Sequence, residues 1–85
     1  MTTDKIEEYI EHKKRKDAPV NIHFKDRNMV KGLFVQTPDY HDLKAKNLWR
    51  IVSSSHLQEW DKTKSIDLTR IFNGLSFTRL SDEKS

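Results

Sequence analysis

One segment of the 85-residue chain combines residue types that nucleic-acid-binding proteins use. Tyr40 is closely followed by the cations Lys44, Lys46 and Arg50 and by the amide Asn47. Aromatic rings stack on unpaired bases and cations neutralise phosphates, so proteins that bind single strands interleave the two types. These five residues are therefore the candidate binding site, for nucleic acid or for another partner.

The segment also contains Trp49. An indole in a β-rich stretch favours burial, because it is among the largest apolar surfaces that a small core can cover. Tyr40 lies in a predicted loop and is expected to be exposed. A single-stranded ligand would then stack on Tyr40 rather than on Trp49.

The histidines give a weaker signal for chemistry. His56 and Glu59 are three residues apart, and His41 precedes Asp42. A metal pair at the first spacing needs a helix, whereas the sequence around His56 indicates a strand or loop. The chain has no cysteine, which excludes thiolate zinc sites and disulfides. We predict no metal site, no cofactor and no enzymatic activity.

The length and charge limit the classes of protein further. At this size one domain is expected, and no glycine-rich turn indicates a nucleotide-binding fold. The formal net charge of +3 permits an acidic partner without requiring one. No apolar run is long enough for a membrane span or a secretory signal. A cytoplasmic protein without a membrane partner is the expectation.

A helix is predicted over residues 4–15. Thr3 and Asp4 are candidate caps, and Ile6, Tyr9 and Ile10 share one helical stripe. Its acidic residues precede a basic run, which suits the helix dipole. The basic run consists of Lys13, Lys14, Arg15 and Lys16.

After Pro19 the apolar pattern changes to a period of two. Val20, Ile22 and Phe24 alternate with polar residues and predict a half-buried strand. A polar turn over 25–28 leads to a second strand over 29–36, in which Gly32 indicates a bend or bulge. Residues 37–47 are rich in turn formers and predict a long exposed loop, followed by a strand over 48–52.

The C-terminal part is less regular. Residues 53–55 predict a turn and residues 57–60 a short returning strand. Residues 67–72 fit a helical turn that leaves through a left-handed Asn73–Gly74, or residues 66–72 form a strand with a hairpin turn at Asn73–Gly74. The last strand is expected over 75–79, and residues 81–85 form a polar tail.

Together these elements predict one domain over residues 1–85, mainly β with one N-terminal helix. Its architecture is a small five-stranded antiparallel SH3-like barrel over residues 19–80. The predicted core consists of Val20, Ile22, Phe24, Leu33 or Phe34, Ile51, Phe72 and Phe77.

Two runs resemble the signatures of Sm-like proteins. Residues 20–39 resemble the first signature, a strand, a polar turn and a bent strand, through Phe24, Asp26, Gly32 and Asp39. Residues 71–80 resemble the second signature, in which two short strands meet at a glycine, here Gly74. The preceding helix also fits. The family usually carries an arginine before that glycine, where this chain has an asparagine.

The resemblance implies a barrel whose loop after the bent strand presents an aromatic and an asparagine to a flipped-out RNA base. Tyr40 and Asn47 would take those roles, in a loop several residues longer than is usual in the family. It also raises the option of homo-oligomers. Two functions stay open: weak, sequence-tolerant binding of RNA or other single strands, and a protein-interaction module whose aromatic loop or strand edge accepts another chain.

Overall fold

The alternating apolar residues form five antiparallel strands. The computed structural model describes residues 1–12 and 19–82. The sheet has the order β4-β3-β2-β1-β5. Its strands are β1 (Val20–Phe24), β2 (Val30–Phe34), β3 (Leu48–Ser53), β4 (Arg70–Asn73) and β5 (Phe77–Asp82). The prediction of a mainly β chain with an N-terminal helix and a five-stranded antiparallel sheet is confirmed.

The N-terminal helix α1 spans Thr3–Glu7 and continues as a π-helical turn over Glu8–His12. Its cap is Thr2, whose hydroxyl accepts a hydrogen bond from the Lys5 amide at 3.3 Å, so the predicted caps Thr3 and Asp4 are wrong. The predicted stripe is confirmed, because Ile6 and Ile10 are buried. The basic run over 13–16 lies outside the described residues.

Two further short helices replace elements that the sequence indicated differently. Helix α2 (Tyr40–Ala45) occupies the predicted loop, and helix α3 (Leu57–Thr63) occupies the predicted strand over 57–60. In α3, Trp60 is buried while the flanking residues are exposed. Leu57 and Trp60 are three residues apart and pack against the same apolar cluster, which is the spacing of one helical face.

The sheet is covered on both faces. On β3, Trp49 and Ile51 join the main core, whereas Val52 joins a second cluster on the opposite face. The main core also contains Ile6, Ile10, Val20, Ile22, Tyr40, Phe77 and Leu80. The second cluster contains Leu33, Val35, Val52 and Trp60. A single core was expected, so the cluster under α3 is a correction.

The core prediction holds for most of its members. The buried ones are Val20, Ile22, Leu33, Ile51 and Phe77. Phe24, Phe34 and Phe72 are partly buried against the main core. Leu33 and Phe34 were alternatives for one position, but they are neighbours on a strand and cover opposite faces.

The last strand contains a bulge that the alternation did not reveal. Phe24 is paired with Phe77 and His23 with Arg79, which leaves Thr78 as the extra residue on β5. The side-chain alternation therefore shifts within β5, and residues three apart, Phe77 and Leu80, both reach the core.

Leu75, which the period-two pattern placed in the last strand, lies outside it. It belongs to a 3₁₀ turn over Gly74–Ser76 and is exposed. The strand therefore begins two residues later than the pattern indicated.

The region before β5 contains a helical turn and then a strand, one feature from each predicted alternative. Ile66–Leu68 form a 3₁₀ turn, and Arg70–Asn73 form the strand. The predicted hairpin turn at Asn73–Gly74 is wrong, because β4 and β5 lie at opposite edges of the sheet. The left-handed exit at Asn73–Gly74 is wrong, because Asn73 has φ −87° and accepts a hydrogen bond from the Leu75 amide instead. Gly74 is required for space: a Cβ there would collide with the Asn47 side chain.

The strand order leaves β4 and β5 at the two edges of the sheet. Closure into a barrel therefore stays a prediction. Among the described residues, no helix is long and apolar enough to cross a membrane.

Gly32 lies where β2 approaches β3 closely. It pairs with both Val20 and Ser53, and a Cβ would lie 2.5 Å from Ile51 Cγ2 and 3.0 Å from the Val52 carbonyl oxygen. We expect Gly32→Ala to lower the free energy of unfolding by about 1–3 kcal/mol, because the added methyl group overpacks the β2–β3 contact. Urea unfolding measures this change.

Ile51→Ala supplies the control for Gly32→Ala, because it removes the nearest colliding atom. The double variant should lose less free energy than the sum of the two single variants. An unfolding free energy of Gly32→Ala within about 0.5 kcal/mol of the parent chain would contradict the close approach.

Candidate binding groove and the predicted loop site

Tyr40 does not offer an exposed ring. It begins α2, is only 8% exposed, and its hydroxyl donates a hydrogen bond to Glu11 Oε2 at 2.7 Å. Burial, reinforced by the Glu11 carboxylate, raises the pKa of Tyr40 above its ordinary value. The expected exposure of Tyr40 is therefore wrong, since the ring packs in the core beside Trp49.

Lys44 is held by the N-terminal helix. Its ammonium pairs with Glu7 and lies 3.9 Å from Glu11 Oε2, and it stands 5.2 Å from the centre of the Tyr40 ring. The hydrogen bond to Glu7 raises the pKa of Lys44. These contacts dock α2 on α1, so the cation is matched by carboxylates of the same chain.

Asn47 organises the turn between α2 and β3. It has φ 58°, in the left-handed region that asparagine tolerates better than most residues. Its side chain accepts from Trp49 Nε1 at 2.8 Å and donates to the Met1 carbonyl at 3.0 Å. Both ends of the amide are thus used within the chain.

Arg50 is also matched by a carboxylate of the chain. Its guanidinium donates to Asp39 at 2.9 and 3.2 Å and to the Thr69 hydroxyl at 3.0 Å. The bonds from Arg50, with a further one from Thr37, lower the pKa of Asp39 to about 2. Among the five candidate residues, only Lys46 is exposed.

The structure instead shows a groove between β4 and the end of β1. It has a volume of about 440 Å³ and is lined by Phe24, Asp26, Arg27, Ile71, Phe72, Asn73 and Ser76. The Phe24 and Phe72 rings contact each other, with centres 5.8 Å apart. The Arg27 guanidinium lies over both rings, at 5.2 and 5.8 Å from their centres.

In the described part of the chain, β4 has no neighbouring strand on its outer edge. The Gly74 amide donates to the Asn47 carbonyl, which makes these residues a hydrogen-bonded pair that continues the β3–β4 ladder. Such pairs alternate with pairs whose backbone groups point away from the neighbouring strand. Ile71 therefore directs its N–H and C=O toward the outer edge, and Asn73 directs its N–H there. The Asn73 carbonyl instead accepts the first hydrogen bond of the 3₁₀ turn over Gly74–Ser76.

A second cavity of about 390 Å³ adjoins the groove and shares Arg27 and Phe72 with it. Its polar lining consists of Arg27, Ser53, His56, Asp67 and Arg70. Ser53 Oγ lies 3.0 Å from His56 Nδ1, so the hydroxyl and the imidazole are hydrogen-bonded. The charged residues that line this cavity are two arginines and one aspartate.

The histidine pairs form no metal centre within the described residues, where no group of three or more possible ligands is placed to hold an ion. His56 directly precedes α3 and Glu59 lies within it, so the region is helical rather than strand or loop. His41 and Asp42 are exposed on α2.

Comparison of the chain with protein-family models, curated proteins and solved structures found no match. The groove is therefore identified as a candidate site from the geometry of this chain alone. Sequence reasoning missed it because Arg27 lay in a predicted polar turn and Ile71 in an ambiguous segment. The useful signal was the apolar pair Ile71 and Phe72 after Arg70, which fits an edge strand with one apolar side chain facing solvent.

The Asp39–Arg50 pair predicts a dependence of stability on pH. Because the folded-state pKa of Asp39 is about 2 and an unfolded aspartate titrates near pH 4, the pair stabilises the fold above about pH 4. That contribution is lost as the pH falls toward 2. Asp39→Asn should be less stable than the parent chain at pH 6, and the difference should shrink by about pH 2.5.

Urea unfolding of the parent chain and Asp39→Asn at both pH values measures the change. Asp42→Asn is the matched control, because this exposed carboxylate lies in α2, three residues after Asp39, and forms no ion pair in the described part of the chain. A stability difference for Asp39→Asn that is equal at both pH values would refute the assignment.

Proposed function

We propose that the chain is a non-enzymatic binding domain that accepts an extended segment of a partner protein along the edge of β4. The observation that carries this proposal is the outward direction of the Ile71 N–H and C=O and of the Asn73 N–H. An incoming strand would pair with these groups and extend the sheet, as in other proteins that recognise peptides by strand addition.

The side chains around this edge suit such a segment. Ile71 and Leu75 are 47% and 63% exposed, which is high for large apolar residues next to a groove. Phe24 and Phe72 supply apolar lining for alternate side chains of the segment. Backbone pairing would supply affinity, and these apolar contacts would select the sequence.

The shape of the sheet also supports an incomplete barrel. Two strands separate β1 from β4 in the sheet, yet Phe24 and Phe72 are in contact. The sheet therefore curls far enough to bring these strands together while leaving the groove between them. On this proposal the SH3-like, Sm-like barrel is open at β4, and the partner segment fills the opening.

Nucleic-acid binding at the loop over 40–50 is less well supported. Tyr40, Lys44, Asn47 and Arg50 all have partners within the chain, which leaves Lys46 as the exposed cation of the set. Weak, salt-dependent binding through Lys46 stays a prediction. Homo-oligomers would be a special case of strand addition, in which the segment comes from a second copy.

Ile71→Pro tests the proposal, because proline removes the outward N–H and leaves the hydrogen bonds between β3 and β4 in place. Random linear peptides displayed on phage would be selected on the parent chain, and the affinities of the selected peptides measured by fluorescence anisotropy. We expect peptides rich in β-branched residues and a loss of affinity of about tenfold or more with Ile71→Pro.

Ile71→Ala is the matched control, since it shortens the side chain but keeps the N–H, and it should lose less affinity than Ile71→Pro. Circular dichroism and urea unfolding verify that both variants are folded. The proposal would be rejected by equal affinities of the Ile71→Pro and Ile71→Ala variants, or by failure to select any peptide.

Single-stranded RNA at low salt distinguishes the alternative function. Binding that is weakened by Lys46→Ala and unchanged by Ile71→Pro would favour a nucleic-acid site on the loop.

A further inference from the structure

The second cavity, beside β4, contains more cationic than anionic groups. Arg27 and Arg70 both line it, His56 and Ser53 add hydrogen-bonding groups, and Asp67 supplies the carboxylate. In the described part of the chain, neither arginine forms an ion pair with an acidic side chain. Within residues 1–12 and 19–82, the two arginines of this cavity therefore have no carboxylate paired with them.

Two cations of the predicted loop site are matched within the chain. Lys44 pairs with Glu7, and Arg50 pairs with Asp39. In the segment over 40–50 only Lys46 is an exposed cation, whereas Arg27 and Arg70 are both exposed beside the edge of β4.

Arg27 is positioned to receive a ligand. Arg27 is exposed, and its guanidinium lies over the Phe24 and Phe72 rings in cation–π contact. A guanidinium that stacks through its face can still offer the N–H groups of its edge to a carboxylate. Arg70 is two residues from Phe72 on β4 and therefore projects from the same face of the strand.

We infer that the segment bound along β4 carries an acidic side chain, whose carboxylate enters this cavity and pairs with Arg27 and Arg70. The inference rests on the proposed function, because strand addition at Ile71 and Asn73 is what brings the segment beside the cavity. The charges favour this occupant: two guanidinium groups against the single carboxylate of Asp67 leave an excess of positive charge.

The test uses the peptides selected on the parent chain. We expect Asp or Glu to be enriched at one fixed position of the selected sequences. For one such peptide, replacing that acidic residue by its amide should weaken binding about three- to tenfold. Arg27→Gln/Arg70→Gln should weaken binding of the acidic peptide by a similar factor and leave binding of the amide peptide nearly unchanged.

Arg79→Gln is the matched control, because Arg79 is exposed on β5 and lines neither the groove nor the second cavity. It should leave the affinity for the acidic peptide unchanged. Thermal unfolding of each variant verifies the fold. The difference between acidic and amide peptides should also narrow as salt is added, since exposed ion pairs are screened.

The outcomes separate the two proposals. Selected peptides without an acidic position, or equal losses for both peptides in the double arginine variant, would overturn the inference and leave strand addition standing. Failure to select any peptide would overturn both. Binding of single-stranded RNA that depends on Arg27 and Arg70, without peptide binding, would assign the cavity to phosphate instead and overturn the acidic segment.

Discussion

The contact between Phe24 and Phe72 is the constraint on which the groove depends. These rings belong to β1 and β4, which are not neighbours in the sheet, so they meet only because the sheet curls. The same curvature encloses Trp49 and Phe77 in the main core, where each is 1% exposed. Covering the core and forming the groove are therefore consequences of one packing arrangement.

Close packing beside this contact limits what the chain tolerates. The β2–β3 approach leaves no space for a Cβ at Gly32, and the turn before β5 leaves none at Gly74. The ion pair between Lys44 and Glu7 connects α2 to α1. Arg50 connects β3 to Asp39, just before α2, and to Thr69, just before β4. The residues that suggested a binding loop in the sequence thus hold elements of the fold together.

Strands β1 and β3 were predictable, because every second residue along each of them faces the main core. Val20 and Ile22 on β1, and Trp49 and Ile51 on β3, show this alternation directly in the sequence. Helix α2 was not predictable from composition, since its segment is rich in turn formers and its buried Tyr40 bonds to a residue 29 positions away. The bulge on β5 likewise depends on pairing with β1, which local periodicity does not report.

For the candidate site, the residue types over 40–50 identified the cations and an aromatic ring. They could not show which cations are free, because the carboxylates that pair with Lys44 and Arg50 lie elsewhere in the sequence.

Strand addition requires that the outer edge of β4 is free to pair with another strand. Amide hydrogen exchange of the isolated chain, followed residue by residue by NMR at a concentration where it is monomeric, tests this requirement most directly. A free edge predicts rapid exchange at Ile71 and Asn73 and slow exchange at Phe72, whose N–H points toward β3. Slow exchange at Ile71 and Asn73 in the monomer would show that the edge is already occupied and would contradict strand addition.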